Sequence, residues 1–135
     1  MTRGFPQIGD ILFTTEAPLG NVAIVDIKEK FALAQRCINL QPYSKINSTF
    51  FMYVMMSDFF QIQLLENATG VTAQGIKAAK LKKLLLPVPS LEEQKCIVTK
   101  VDQLMTLCDQ LEQQLTQSYS DAEKLMQATV NALVS

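Results

Sequence analysis

The sequence predicts an α+β protein: a small mixed domain of short strands and a buried helix, followed by one long C-terminal helix of coiled-coil type. Three observations carry this reading. Runs rich in β-branched residues, separated by turn residues, occupy positions 10–41. An aromatic- and Met-rich helical stretch follows over about 48–67. A Pro-Val-Pro-Ser junction at 87–90 then opens a heptad pattern that lasts almost to the final residue.

The first strand is Asp10-Ile11-Leu12-Phe13-Thr14 and the second runs from Asn21 to Asp26. Pro18-Leu19-Gly20-Asn21 between them has turn chemistry, because Pro presets φ and Gly or Asn accepts positive φ. Phe31 to Ala34 and Cys37 to Leu40 are expected as two further strands. Asn47 or Ser48 caps the helix that is expected to reach Asn67, with Gly70 closing it in a left-handed geometry.

A loop, Thr69 to Gly75, leads into Ile76 and a lysine-rich stretch, then into the apolar run Leu84-Leu85-Leu86. Pro87 and Pro89 stop that run, since each removes a backbone donor and pushes its predecessor to extended geometry. The domain boundary is therefore drawn here, giving 1–89 and 90–135.

Ser90 and Glu93 have capping-box spacing at the start of the long helix. Its seam is Ile97, Val101, Leu104, Cys108, Leu111, Leu115, Ser118, Ala122, Leu125, Thr129 and Ala132, in alternating steps of four and three. At 1.5 Å per residue the helix reaches roughly 60 Å, about twice the diameter of a small domain. A domain of this size cannot cover such a seam, so the helix asks for a partner helix. The alternative is a solitary helix lying on its own domain. The second half of the seam carries smaller residues, which lets a partner approach more closely. No strong charge code flanks the seam, which leaves the pairing parallel or antiparallel.

Composition narrows the chemistry. The net charge of the 135 residues is −1 and the pI is about 5.4, so any nucleic-acid site must be a local basic patch. No histidine is present, which excludes Ser-His and Cys-His nucleophile pairs and His-ligated metals. Cys37, Cys96 and Cys108 are odd in number and form no C-x-x-C, so neither a disulfide framework nor a zinc site is expected. Buried reduced thiols are expected instead.

No P-loop, G-x-G-x-x-G, H-E-x-x-H or Asn/Asp-Pro-Pro-aromatic stretch occurs, and Asp10 and Glu16 read as solvated surface. The chain is expected not to be an enzyme and to use no cofactor. No signal-peptide run follows Met1, and Phe50 to Leu65, with Asp58, Gln61 and Gln63, is too short and polar to span a bilayer. A cytoplasmic protein without a membrane partner is expected.

The best binding candidate is the basic segment. Between Asn67 and Leu91 there are four lysines, Lys77, Lys80, Lys82 and Lys83, and no acid. Thr69, Gly70, Thr72, Gln74 and Gly75 lie just before them. Backbone amides, Thr hydroxyls and a Gln amide bond phosphates or base edges, and lysine supplies charge-based affinity. A solvated lysine face is the bland reading, and residue chemistry alone leaves both open.

Leu84 to Asp109, LLLPVPSLEEQKCIVTKVDQLMTLCD, resembles the junction between a target-recognition domain and the conserved helix of type I restriction-modification specificity subunits. That pattern is roughly I-P-x-P-x-L-x-E-Q-x-x-I-V-x-K-V-D-x-L-M. It is met at Pro87, Pro89, Leu91, Glu93, Gln94, Ile97, Val98, Lys100, Val101, Asp102, Leu104 and Met105. Gly9-Asp10-Ile11-Leu12 with Gly20-x-Val22-Ala23-Ile24-Val25, the helix Phe50 to Leu64, and Ala68-Thr69-Gly70-x-Thr72 with Gly75-Ile76 resemble further stretches of the family.

The resemblance implies a non-catalytic subunit that reads double-stranded DNA through its recognition domain. It implies a long helix that spaces two such domains and docks the methyltransferase subunit of the same system. A complete subunit has two recognition domains and two helices. The resemblance therefore implies a fragment, a truncated product or a half-subunit that forms a homodimer through its helix, with Ile97, Val101, Leu104, Cys108, Leu111, Leu115, Ala122 and Leu125 as pairing residues. The competing expectation is a pure coiled-coil interaction module without DNA binding of its own.

Overall fold

A computed structural model describes residues 5–135. It divides into two compact units, one ending at Val98 and the other running from Thr99 to Ser135.

The first unit is built on a three-stranded antiparallel sheet of order β2-β1-β3, with β1 at Ile11–Thr14, β2 at Val22–Ile24 and β3 at Cys37–Leu40. Alternation along β1 sends Ile11 and Phe13 inward, where both are fully buried. The register sets Ile11 between Ile24 and Leu40, and Phe13 between Val22 and Ile38. One face is thus uniformly apolar and packs on the core of Met55, Phe60, Leu64, Ile76 and Leu81. Phe13 and Phe60 meet edge to face, with ring centroids 6.4 Å apart. Burying each such side chain contributes on the order of 1.5–3 kcal/mol.

The expected strand at Phe31 to Ala34 does not form. Both edges of β1 are taken by β2 and β3, and this stretch has no β-branched residue to favour a fourth pairing.

The turn between β1 and β2 depends on Gly20, whose φ is +88°. That backbone conformation is one L side chains rarely adopt, and a Cβ there would also lie 2.8 Å from Leu64 Cδ2 and 2.9 Å from Gln61 Oε1, side-chain ends that would have to shift.

The single helix expected over 48–67 is two helices, α1 at Ser48–Met56 and α2 at Asp58–Asn67. Asn47 caps α1 as expected, its side-chain oxygen accepting Phe50 N–H at 3.0 Å. The break falls at Ser57, which is extended at φ −70°, ψ 152°. Its hydroxyl donates to Val54 O, and Gln61 Nε2 donates to Met55 O at 2.8 Å. Side chains thereby satisfy carbonyls that a continuous helix would have bonded. The break directs Phe50 and Met55 of α1, and Phe60 and Leu64 of α2, into the core.

Residues 84–86 are not a strand. Leu84 and Leu86 pack on the core, whereas Leu85 is exposed and held by both polar atoms of the Gln63 side chain, at 3.2 Å each.

The long helix α4 spans Leu91–Val134, 44 residues or about 66 Å at the α-helical rise. Ser90 Oγ accepts Glu93 N–H at 3.3 Å, the first half of the expected capping box. The first turns of α4 belong to the first unit, through Gln94. This side chain is fully buried. Its Oε1 accepts Asn47 N–H at 2.8 Å, and its Nε2 donates to Pro89 O at 2.9 Å and Lys45 O at 3.1 Å. The division between compact units accordingly lies eight residues past Ser90, at Val98.

The second unit is the remainder of the same helix. Thr106, Thr116 and Thr129 donate back to the carbonyls of Asp102, Glu112 and Leu125, which lets hydroxyls sit mid-helix without competing for its N–H groups.

Candidate functional site

The loop after α2 is closed by a reciprocal pair of backbone hydrogen bonds, Thr69 N–H to Gly75 O at 2.8 Å and Gly75 N–H to Thr69 O at 3.0 Å. Gly75 also bridges Glu16, and Ile76 N–H donates to Thr15 O at 3.0 Å, so the base of the loop is fastened to the end of β1. Gly70 is not the cap of α2. The helix ends at Ala68, which is extended. Gly70 has φ +118°, and a Cβ there would lie 2.2 Å from Ala73 O, so its freedom serves closure of the loop. Thr69, Gly70, Thr72 and Gln74 are exposed, and Gly75 is half-buried at the base.

Ile76 then enters the core and the chain turns through the short helix α3, Ala78–Leu81. Lys77 stands at its N-cap, Lys80 within it, Lys82 at its C-cap and Lys83 immediately after. Ile76 and Leu81 are buried, while all four lysines are exposed. Among the described residues, none of the four is held in an ion pair. The predicted loop and the predicted lysines therefore share one short segment whose apolar residues anchor it and whose polar residues reach solvent.

Sequence reasoning missed Arg36. Its backbone carbonyl receives Thr15 N–H at 2.9 Å, and its guanidinium pairs with Glu16 at 3.2 Å, beside the base of the loop. No local pattern connects position 36 to position 75; the sheet does.

Asp10 is not solvated surface. It is 7% exposed, and its Oδ2 accepts from Asn39 Nδ2 at 2.7 Å, Gln7 N–H at 2.9 Å and Gln41 Nε2 at 3.4 Å. Burial by itself would push its pKa up. The donors of Asn39, Gln7 and Gln41 together outweigh that and hold it below the ordinary carboxylate value. It is a structural carboxylate that ties the start of β1 to β3. The cysteine expectation is also corrected: Cys37 is half-buried, whereas Cys96 and Cys108 are exposed, and all three are free.

The seam of α4 faces solvent in the isolated chain. Leu104, Leu111, Leu115 and Leu125 are 51–70% exposed, and Cys108 and Ala122 are exposed as well. Ile97 is 38% exposed and Val101 half-buried. The exposed apolar side chains thus recur at the regular spacing of the seam along the helix.

Comparison with known proteins agrees over nearly the whole chain. The family model described as the type I restriction modification DNA specificity domain matches residues 3–118. The chain is 28% identical over 120 residues to the type I restriction enzyme EcoBI specificity subunit of Escherichia coli, covering 88% of this chain and 25% of that protein. It is 34% identical over 97 residues to the MjaIX specificity subunit of Methanocaldococcus jannaschii, covering 72% of this chain and 22% of that protein. The crystal structure of a type I restriction-modification system S subunit from M. genitalium superimposes with a TM-score of 0.58 at 22% identity, over 73% of this chain and 26% of that one. This likeness supports the fold. The chain thus spans about a quarter of the length of these relatives.

Proposed function

We propose a function for this chain from the family it belongs to, that of the type I restriction modification DNA specificity domain: it is a DNA-reading, non-catalytic part of a type I restriction-modification complex. In this reading residues 1–89 bind double-stranded DNA and residues 90–135 make the helix that pairs with a second copy and docks the methyltransferase subunit. The work is that of a cytoplasmic complex; among the described residues no helix is long and apolar enough to cross a membrane.

The observation that carries the reading is the closed loop Thr69 to Gly75 set directly against an acid-free turn of four exposed lysines. Lys77, Lys80, Lys82 and Lys83 supply phosphate contacts that position the protein, and Thr72 and Gln74 supply hydrogen-bonding groups suited to base edges. Thr69, Gly70 and Gly75 give the loop its shape.

The test is binding to a generic duplex over a range of salt concentrations. Each lysine that contacts a phosphate steepens the slope of log K against log salt by about 0.9. Reversing all four lysines to Glu is expected to abolish measurable binding at moderate salt and flatten that slope. Unchanged affinity and slope would remove the DNA-binding assignment.

A second reading, a helical interaction module without DNA affinity, is favoured by one observation: the apolar seam of α4 is exposed, with Leu104, Leu111, Leu115 and Leu125 at 51–70%. A protein that pairs normally but whose wild-type form ignores DNA would select it.

A further inference from the structure

We infer that the tip of the Thr69 to Gly75 loop enters the major groove of DNA and that Val71 there reads the 5-methyl group of a thymine. The inference rests on the DNA-binding reading above and deepens it, from where the protein binds to which base it selects. Lysines, Thr72 and Gln74 supply the polar contacts of that reading and leave Val71 unexplained.

Val71 is 105% exposed, so none of its apolar surface is spent on packing within the chain. An exposed valine is ordinary on a protein surface. What singles this one out is its mounting. Thr69 and Gly75 close the loop beneath it by exchanging both backbone hydrogen bonds, at 2.8 and 3.0 Å. Gly75 bridges Glu16, and Ile76 N–H donates to Thr15 O at 3.0 Å, so the base is anchored on the end of β1. On one side of Val71, Gly70 has φ +118° and a Cβ on it would collide with Ala73 O, so the backbone folds back tightly around the tip. The branched side chain is itself stiff at χ1. A rigid loop thus holds a rigid apolar group out in solvent.

The shape suits one groove. The reciprocal pair at Thr69 and Gly75 makes the loop a two-stranded ribbon in miniature. Paired strands lie about 4.8 Å apart before side chains are added. A major groove about 12 Å wide admits such a ribbon, whereas a minor groove about 6 Å wide is too narrow. Charge agrees. Lys77, Lys80, Lys82 and Lys83 follow the loop and are exposed. Glu16, the acid beside the base, is paired with Arg36 at 3.2 Å and sets no bare negative charge against a phosphate.

The chemistry of the tip then selects the base. Among the four bases, thymine presents an apolar group in the major groove, its 5-methyl. Cytosine presents an amino donor there, which a valine cannot pair and would only desolvate. Gln74, three residues further along the same loop, carries an amide of the kind that bonds adenine at N6 and N7. Val71 and Gln74 are therefore matched to the two partners of an A·T pair.

The experiment uses two duplexes, one built of A·T pairs and the same duplex with uracil in place of every thymine, so that they differ only in the 5-methyl groups. The full chain and its Val71→Ser variant are titrated with each, from low to moderate salt. The wild type is expected to bind the thymine duplex about fourfold more tightly, the worth of one buried methyl group. Val71→Ser is expected to bind the two duplexes alike and to keep the slope of log K against log salt, because the phosphate contacts are untouched. Equal wild-type affinity for the two duplexes would overturn the methyl contact and leave DNA binding standing. A thymine preference that survives in Val71→Ser would overturn the assignment to Val71. A wild-type chain that binds neither duplex at low salt would overturn the DNA-binding reading itself, and this inference with it.

Discussion

Gln94 and Asn47 stand 47 residues apart in sequence, yet Gln94 Oε1 accepts the Asn47 backbone N–H at 2.8 Å. The same amide donates to Lys45 O and Pro89 O. One fully buried side chain thereby fastens the start of α4 to the N-terminus of α1 and to the proline linker. Both of its polar atoms are used, which suits an amide and no other side chain of this size.

Gln94→Ala should therefore destabilise the first unit strongly. It strands one donor and two acceptors in a buried place, at on the order of 1–3 kcal/mol each where water cannot replace the lost partner. Gln94→Glu keeps the shape but loses the donors to Lys45 and Pro89, so it should also destabilise. Urea denaturation midpoints measure both. A Gln94→Ala protein as stable as the parent would show that the pin contributes nothing.

Asp10 makes stability depend on acid pH. Its folded pKa lies below the ordinary value, because hydrogen bonds from Asn39, Gln7 and Gln41 outweigh the upward push of burial. Its contribution is fully present above the ordinary carboxylate pKa and is lost as pH falls through the depressed folded value. Melting temperatures taken from pH 7 downward should fall on the acid side. Asp10→Asn should lower stability at neutral pH and flatten that acid limb. An unchanged limb would assign the pH dependence to other carboxylates.

Gly70→Ala places a side chain at φ +118° and against Ala73 O. Strain of this kind costs on the order of 1–3 kcal/mol, and it falls on the loop rather than the core. The variant is expected to keep its fold by circular dichroism and to lose affinity for duplex DNA. Wild-type affinity in a folded Gly70→Ala protein would separate the loop from DNA binding.

Leu111→Glu puts a charge at the centre of the α4 seam. Each seam leucine buried in a pair is worth on the order of 1.5–3 kcal/mol, lost once from each copy. Sedimentation should show monomers or aggregates at concentrations where the parent is dimeric, with the melting of the first unit unchanged. Leu104→Glu should act in the same direction. A variant that remains an ordinary dimer would place the pairing surface elsewhere on the helix.

Local signals in the sequence set much of the architecture. Strands β1, β2 and β3 follow alternation and turn residues, and Asn47 and Ser90 cap the helices they were expected to cap. The uninterrupted pattern after Pro89 is a 44-residue helix. That the loop and the lysines lie side by side and exposed follows from their being neighbours in the chain; what they bind is a proposal.

Tertiary structure decided the rest. The break at Ser57 depends on Gln61 reaching Met55 O, the burial of Asp10 on Asn39 and Gln41, and the burial of Gln94 on Asn47 and Lys45. Arg36 came beside the loop only because β1 pairs with β3. Periodicity and capping act over one or two turns and are written locally. A polar side chain that leaves its own segment to satisfy a distant backbone group has its cause in the partner, and the partner is known only once the chain has folded.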